Sequence, residues 1–177
     1  MNRYAAVLGV VLAVILIASG IAPYDRITWL METLPVIIAL PLLAATARRF
    51  PLTNLLYTLI FLHCLVLIVG GIYTYARVPL GFWVQHAFGL SRNPYDKLGH
   101  FLQGFVPALI ARELFIRRDW VRPPRIRAFL CVCVAMFISS VYELIRMAVG
   151  AVHEQGADEF LGTQGDVGTR RRTWPAR

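Results

Sequence analysis

The segment Thr53–Tyr75, TNLLYTLIFLHCLVLIVGGIYTY, decides the fold class of this chain. Its 23 residues include no Asp, Glu, Lys or Arg, and a run of this length predicts a helix that crosses the roughly 30 Å hydrocarbon core of a bilayer. The apolar residues are continuous and do not alternate with polar ones, which argues against the strands of a membrane β-barrel. A helix also satisfies its own backbone hydrogen bonds in lipid. The segment therefore predicts an integral membrane protein.

Four further segments are long and mostly apolar, and the overall composition also indicates a membrane protein. Hydrophobic residues make up 58% of the chain and charged residues 16%, whereas soluble domains carry about 25% charged residues; the mean hydropathy is +0.60. We predict an all-α polytopic membrane helical bundle that forms a single transmembrane domain over residues 1–167. The five predicted spans cover about Tyr4–Ala22, Thr28–Ala47, Thr53–Tyr75, Gly99–Ile116 and Ala128–Gly150.

The first span has an alternative interpretation as a cleaved signal peptide, because Arg3 precedes it and small residues lie near its end. Its uncharged stretch of 19 residues exceeds the usual apolar core of roughly 7 to 15 residues in a signal peptide. The length favours a retained membrane anchor.

The positions of the basic residues predict the orientation, because cytoplasmic loops are enriched in Lys and Arg. A cytoplasmic N-terminus leaves four basic residues outside: Arg26, Arg77, Arg92 and Lys97. It places nine arginines inside: Arg3, Arg48, Arg49, Arg112, Arg117, Arg118, Arg122, Arg125 and Arg127. We predict a location in the bacterial inner (cytoplasmic) membrane with the N-terminus in the cytoplasm.

The same loops account for the formal net charge of +8. The basic run Arg117–Arg127 is predicted to face anionic lipid headgroups, so membrane lipid is the expected partner and nucleic acid is not. Cys64, Cys131 and Cys133 all fall in predicted spans, where free thiols behave as small hydrophobic groups.

Polar residues concentrate at the predicted outer side, where such groups beside or inside spans are candidates for function. Asp96 and His100 are four residues apart and share a helix face if the helix begins early. Glu143 lies near the outer end of the fifth span. The candidate catalytic residues are Asp96, His100 and Glu143. The candidate substrate-binding residues are Lys97, Arg146, Glu32, Gln164 and Asp166.

Each group also has an ordinary structural interpretation. Asp96 with Lys97 is compatible with a solvated interfacial pair, and Glu143 with Arg146 with an ion pair that joins helices. His63, near the middle of the third span, is compatible with a hydrogen bond between helices. Five aromatic residues are predicted to form the outer aromatic belt: Tyr24, Trp29, Tyr73, Tyr75 and Trp83. The coincidence of several acidic groups and an imidazole on one side favours a site.

Four strings in the sequence resemble one family. They are NPYDKLGHF at 93–101, Arg112-Glu113, Tyr142-Glu143-Leu144 and GTQGD at 162–166. Together they are similar to the YjdF-type family of bacterial inner membrane proteins over essentially the whole chain. The resemblance implies an uncharacterised inner membrane protein with six spans in an intact member, and it implies no reaction. More distantly, Asp96-Lys97-x-x-His100-Phe101 with Glu143 resembles the VanZ-like proteins associated with glycopeptide-antibiotic resistance.

The last ten residues, 168–177, depart from the pattern of the resembled family. That family continues after Gly-Asp-Val with Trp-Asp-x-Gln-x-Asp-Met and another apolar span, whereas this chain reads GTRRRTWPAR. A back-translation of these residues that starts with GGG ACA becomes Trp-Asp-Thr-Gln-Ala-Asp-Met when one T precedes it. We therefore expect a single-nucleotide frameshift after Val167, a disordered tail and a missing sixth span.

Three classes of function remain open from the sequence. A membrane-embedded enzyme would use His100 as general acid or base, Asp96 to fix its tautomer and Glu143 as a second acid or base, on a lipid-linked or cell-envelope substrate. A small transporter would use Glu32, His63 and Glu143 as a polar path. A membrane assembly factor would bind a partner at the outer polar surface. The residue pattern identifies no cofactor, metal, substrate or oligomeric state.

Overall fold

The structure, a computed structural model, describes residues 3–152, with side chains described through residue 149. Within this part of the chain it is helical and contains no strand, which confirms the predicted all-α bundle. The helices are α1 Arg3–Ser19, α2 Arg26–Thr46, α3 Asn54–Tyr73, α4 Pro79–Ala87, α5 Tyr95–Arg117 and α6 Pro124–Val152. A short 3₁₀ turn, Tyr75–Arg77, joins α3 to α4.

The five long helices coincide within a few residues with the five predicted apolar segments. Three of them, α2, α3 and the part of α6 that ends at Val149, have the length and the apolar composition to cross a membrane. The apolar α1 has 17 residues, and α5 has 23 residues with charged groups in its first and last turns. Five crossings by one domain stay a prediction, and the predicted frameshifted tail lies outside the described residues.

Side chains cap the N-termini of two of the long helices. The Asp25 carboxylate accepts a hydrogen bond of 2.6 Å from the backbone N–H of Thr28 at the start of α2, and the Thr53 hydroxyl accepts one of 3.4 Å from Leu56 at the start of α3. Each cap satisfies an N–H group that has no partner within the helix. Because both caps lie at the ends of the apolar runs, they fix where the two helices begin.

The central helix of the bundle is α3, which packs against α1, α2 and α5, while α6 packs on α5. Its apolar residues meet those of its three neighbours in one core cluster. The buried members of this cluster are Leu12, Val36, Leu56, Ile60, Cys64, Leu67, Ile68 and Val106. The opposite face of α6 exposes large apolar side chains such as Phe129 and Phe137, as expected for a helix surrounded by lipid.

The antiparallel arrangement of α3 and α5 defines two ends of the bundle. At the end that we call the basic end, Glu113 accepts hydrogen bonds from the backbone N–H and the hydroxyl of Thr53, at 3.0 and 2.8 Å. Tyr4 of α1 lies at the same end, 2.6 Å from the hydroxyl of Thr58. At the opposite end, which we call the polar end, the last residues of α3 lie beside the first turn of α5.

The helix α4 lies at the polar end and was not predicted from the sequence. Nine residues are too few to cross a membrane, and both Leu80 and Trp83 are exposed. Buried Asn93 holds the segment in place by donating to the carbonyls of Ala76 at 3.3 Å and Val78 at 3.0 Å. This connection brings α4 close to the beginning of α5.

Candidate functional site

Glu32 and Arg146 form a buried ion pair between α2 and α6 at the polar end. Oε1 of Glu32 lies 3.1 Å from Nη2 of Arg146, and the two side chains are 1% and 6% exposed. Charged groups this deep in an apolar bundle require a partner, because an isolated charge in such a place is strongly unfavourable. The sequence predicted Arg146 beside Glu143, but the shorter contact of the guanidinium is with Glu32.

Two tyrosines complete the surroundings of the Glu32 carboxylate. The Tyr142 hydroxyl lies 3.2 Å from Oε2 of Glu32 and 3.0 Å from the carbonyl of Met31. The Tyr75 hydroxyl also interacts with this carboxylate. Each tyrosine hydroxyl offers the carboxylate a neutral donor, which helps a buried charge to persist.

Tyr75 does not belong to the aromatic belt, so that prediction is wrong for this residue. Its side chain is buried, and its ring lies against two glycines of neighbouring helices, Gly70 of α3 and Gly99 of α5. A Cβ at either glycine would approach the ring to within 2.6 and 2.8 Å respectively. The ring therefore fits at this position because neither glycine has a Cβ.

His100 lies between two carboxylates at the mouth of the same cluster. Its Nε2 is 3.5 Å from Oδ1 of Asp96, and its Nδ1 is 3.8 Å from Oε1 of Glu143. The Asp96 contact exists because α5 begins at Tyr95 and so carries both residues on one helical face. The His100 side chain is 46% exposed and that of Glu143 is 38% exposed. The imidazole is thus accessible to a ligand.

Glu143 links the exposed and buried parts of the cluster. Its Oε1 lies 3.9 Å from Nη1 of Arg146, which in turn pairs with Glu32. The cluster thus combines three carboxyl groups, one guanidinium and one imidazole. We call the set Asp96, His100, Glu143, Arg146 and Glu32 the polar cluster.

The structure brings five of the eight candidate residues together in the polar cluster. Lys97 is exposed on the first turn of α5, and Gln164 and Asp166 lie outside the described residues. No group of three or more His, Cys, Asp or Glu side chains in residues 3–149 has an arrangement that could hold a metal ion. His63 lies elsewhere, in the middle of α3, where its buried Nε2 has no hydrogen-bond partner.

These features define a polytopic helical membrane protein with a polar cluster built from three helices at one end of the bundle. The chain belongs to a family described as predicted membrane protein DUF2238, whose match covers residues 4–169. It is 63% identical over 155 residues to the inner membrane protein YjdF of Escherichia coli strain K12, an alignment that covers 88% of this chain and 74% of the relative. The chain is a membrane protein. No solved structure matches the sequence.

Proposed function

We propose that this protein is a membrane-embedded enzyme that binds a lipid-linked or cell-envelope substrate at the polar cluster and uses His100 as its general acid or base. The observation that carries the proposal is the position of His100, half-exposed between Asp96 and Glu143. A neutral imidazole both accepts and donates protons near neutral pH, and flanking carboxylates orient it and stabilise its charged form.

The buried part of the cluster supports this assignment because it holds the site in a fixed position. Glu32, Arg146 and Tyr142 connect α2 to α6 beneath Glu143. A site held by several helices keeps its reacting groups in a narrow range of positions, which favours catalysis or selective binding. An ion pair that served only to join helices would not require an accessible histidine above it.

The position of the cluster supports a substrate that is itself associated with the membrane. The polar end carries α4, whose exposed side chains include Leu80, Phe82 and Trp83. Aromatic and aliphatic groups next to a polar site are suited to the region between headgroups and acyl chains. A substrate with an apolar anchor would then present its polar group to His100.

The distribution of charge supports an outward-facing site with the N-terminus in the cytoplasm of the bacterial inner membrane. Among the described residues, nine arginines fall at the basic end or in the loops that extend from it, against five basic residues at the polar end, namely Arg26, Arg77, Arg92, Lys97 and the buried Arg146. The positive-inside rule then directs the basic end to the cytoplasm and the polar cluster to the outer face.

The proposal is tested by comparing envelope lipids and lipid-linked intermediates in cells that lack the gene and in cells that express wild type, His100→Ala or His86→Ala. His86 is the matched control, because it is an exposed histidine of α4 outside the polar cluster. We expect His100→Ala, at wild-type protein level, to reproduce the accumulated species of the null strain, and His86→Ala to resemble wild type. Equal profiles for the two variants would contradict a role for His100 in chemistry.

Transport is the second candidate function, and one observation favours it. The buried Nε2 of His63 lacks a hydrogen-bond partner in the middle of a membrane-crossing helix, and ionisable groups there often mark ion pathways. Proteoliposomes that contain a trapped pH-sensitive dye test this alternative. Protein-dependent proton movement that His63→Ala abolishes and His100→Ala leaves intact would favour transport over the enzyme.

A further inference from the structure

A groove at the basic end lies between α3 and α5, on the opposite end of the bundle from the polar cluster. Its volume is about 320 Å³. The apolar walls are formed by Leu55 and Leu59 of α3 and by Leu109 and Ile116 of α5, and Arg112 lies at its edge. The groove therefore combines an apolar surface with a cation at a membrane boundary.

The other charged groups at this groove already interact with one another. Glu113 accepts hydrogen bonds from Thr53 and from Nη1 of Arg117, the latter at 2.9 Å. Arg117 also donates to the carbonyl of Pro51, and its guanidinium lies 4.2 Å from the centre of the Phe50 ring. The Glu113 carboxylate, the one acidic group among the described residues that line the groove, is thus engaged by Thr53 and Arg117.

Arg112 differs from Arg117 in this respect. It is exposed, and it forms no ion pair with any of the residues that the structure describes. A long arginine side chain at the end of a membrane helix extends its charged group to the headgroup region while its stem covers apolar surface. Its guanidinium binds phosphate through two parallel hydrogen bonds.

We propose that this groove binds one anionic phospholipid, with an acyl chain along the leucine-rich walls and the headgroup phosphate at Arg112. Arg112, which lines the groove, supplies the charge complementarity, and basic pockets between membrane helices are a recognised form of lipid site. A neutral or zwitterionic lipid would fill the apolar part but would gain less from Arg112. The site is separate from the polar cluster, and its assignment does not depend on the enzyme proposal.

The test uses the purified full chain and native mass spectrometry with phosphatidylglycerol or phosphatidylcholine added in equal amounts. We expect wild type to retain phosphatidylglycerol preferentially and Arg112→Gln to lose about fivefold in its affinity for that lipid. Arg125→Gln is the control, because Arg125 is an exposed arginine in the first turn of α6 that does not line the groove. It should bind like wild type.

Three outcomes would overturn the assignment. The first is equal retention of the two lipids by wild type, and the second is an equal loss in Arg112→Gln and Arg125→Gln. The third is release of the bound phosphatidylglycerol by excess inorganic phosphate alone, which would show that the acyl chain adds nothing. Arg112 and Arg125 are both exposed, so both variants are expected to fold.

Discussion

Glu32 of α2 and Arg146 of α6 lie 3.1 Å apart at one end of a bundle whose other long helices are mostly apolar. This pair connects two helices that make few other contacts. Its Arg146 contacts Glu143, which in turn contacts His100. Taking two charges out of water is costly, so such a pair is poor evidence for stability by itself. Its position below an accessible histidine is better evidence for a site.

Removing one member of the pair should be strongly destabilising. Arg146→Met leaves the buried Glu32 charge without its cation, which costs roughly 3 to 5 kcal/mol; Glu32→Gln should cost less, because Arg146 keeps its 3.9 Å contact with Glu143. The double variant removes both charges and should recover a large part of that loss. Thermal unfolding in detergent measures all three proteins.

The exposed pair Asp119–Arg122 is the control for that comparison. Its members are 60% and 82% exposed, and surface pairs contribute at most about 1 kcal/mol. Arg122→Ala should therefore leave the unfolding temperature almost unchanged. Additive losses in the Glu32/Arg146 double variant would show that the two charges do not compensate each other.

The close contact between Gly99 and the Tyr75 ring predicts a sensitive position on α5. A Cβ at Gly99 would lie 2.8 Å from Cε1 of that ring, so Gly99→Ala must displace either the ring or the helix, at a cost of roughly 1 to 3 kcal/mol. Gly104→Ala is the matched control on the same helix, because a Cβ there meets no atom within 4 Å. It should be neutral or stabilising by up to about 1 kcal/mol. Equal unfolding temperatures for the two variants would argue against the packing of Tyr75.

Asn93 should control the position of α4. Its Nδ2 donates to two backbone carbonyls, and its Oδ1 accepts from the backbone N–H of Tyr95 at 3.0 Å. Asn93→Asp keeps the size and the acceptor but loses both donors, so α4 should loosen. Limited proteolysis between residues 76 and 93, together with Trp83 fluorescence, reports this change. Unaltered cleavage in Asn93→Asp would mean that other contacts hold α4.

The predicted frameshift after Val167 is tested by resequencing the locus. We expect one additional base to restore the Trp-Asp reading and an apolar segment after it. An unchanged frame, with the same basic tail in related strains, would refute the frameshift.

The length and the composition of the segments were sufficient to predict the long helices, because continuous apolar runs have few structural alternatives in a membrane. They also predicted that Asp96, His100 and Glu143 lie on the same side. The pairing of Glu32 with Arg146 was not predictable, since it depends on how α2 and α6 are oriented around the axis of the bundle. Tyr75 was misassigned because a tyrosine at the end of a span usually faces the interface, and only packing against Gly99 shows that it is buried.

The helix α4 escaped prediction for a related reason. It is short and partly exposed, and its position depends on Asn93, whose contacts reach residues 15 and 17 positions earlier in the chain. An isolated asparagine before a proline has the signature of a turn. Its buried hydrogen bonds become visible only in three dimensions.

We propose that the polar cluster lies at the outer face of the inner membrane, and single-cysteine labelling measures this orientation. Arg92→Cys lies in the exposed loop before α5 and Arg122→Cys in the exposed loop before α6, each in a chain without its three native cysteines. A membrane-impermeant maleimide added to intact spheroplasts should label Arg92→Cys at once and Arg122→Cys only after lysis. Labelling of Arg122→Cys in intact spheroplasts, with Arg92→Cys protected until lysis, would put the polar cluster on the cytoplasmic side and overturn the proposed orientation.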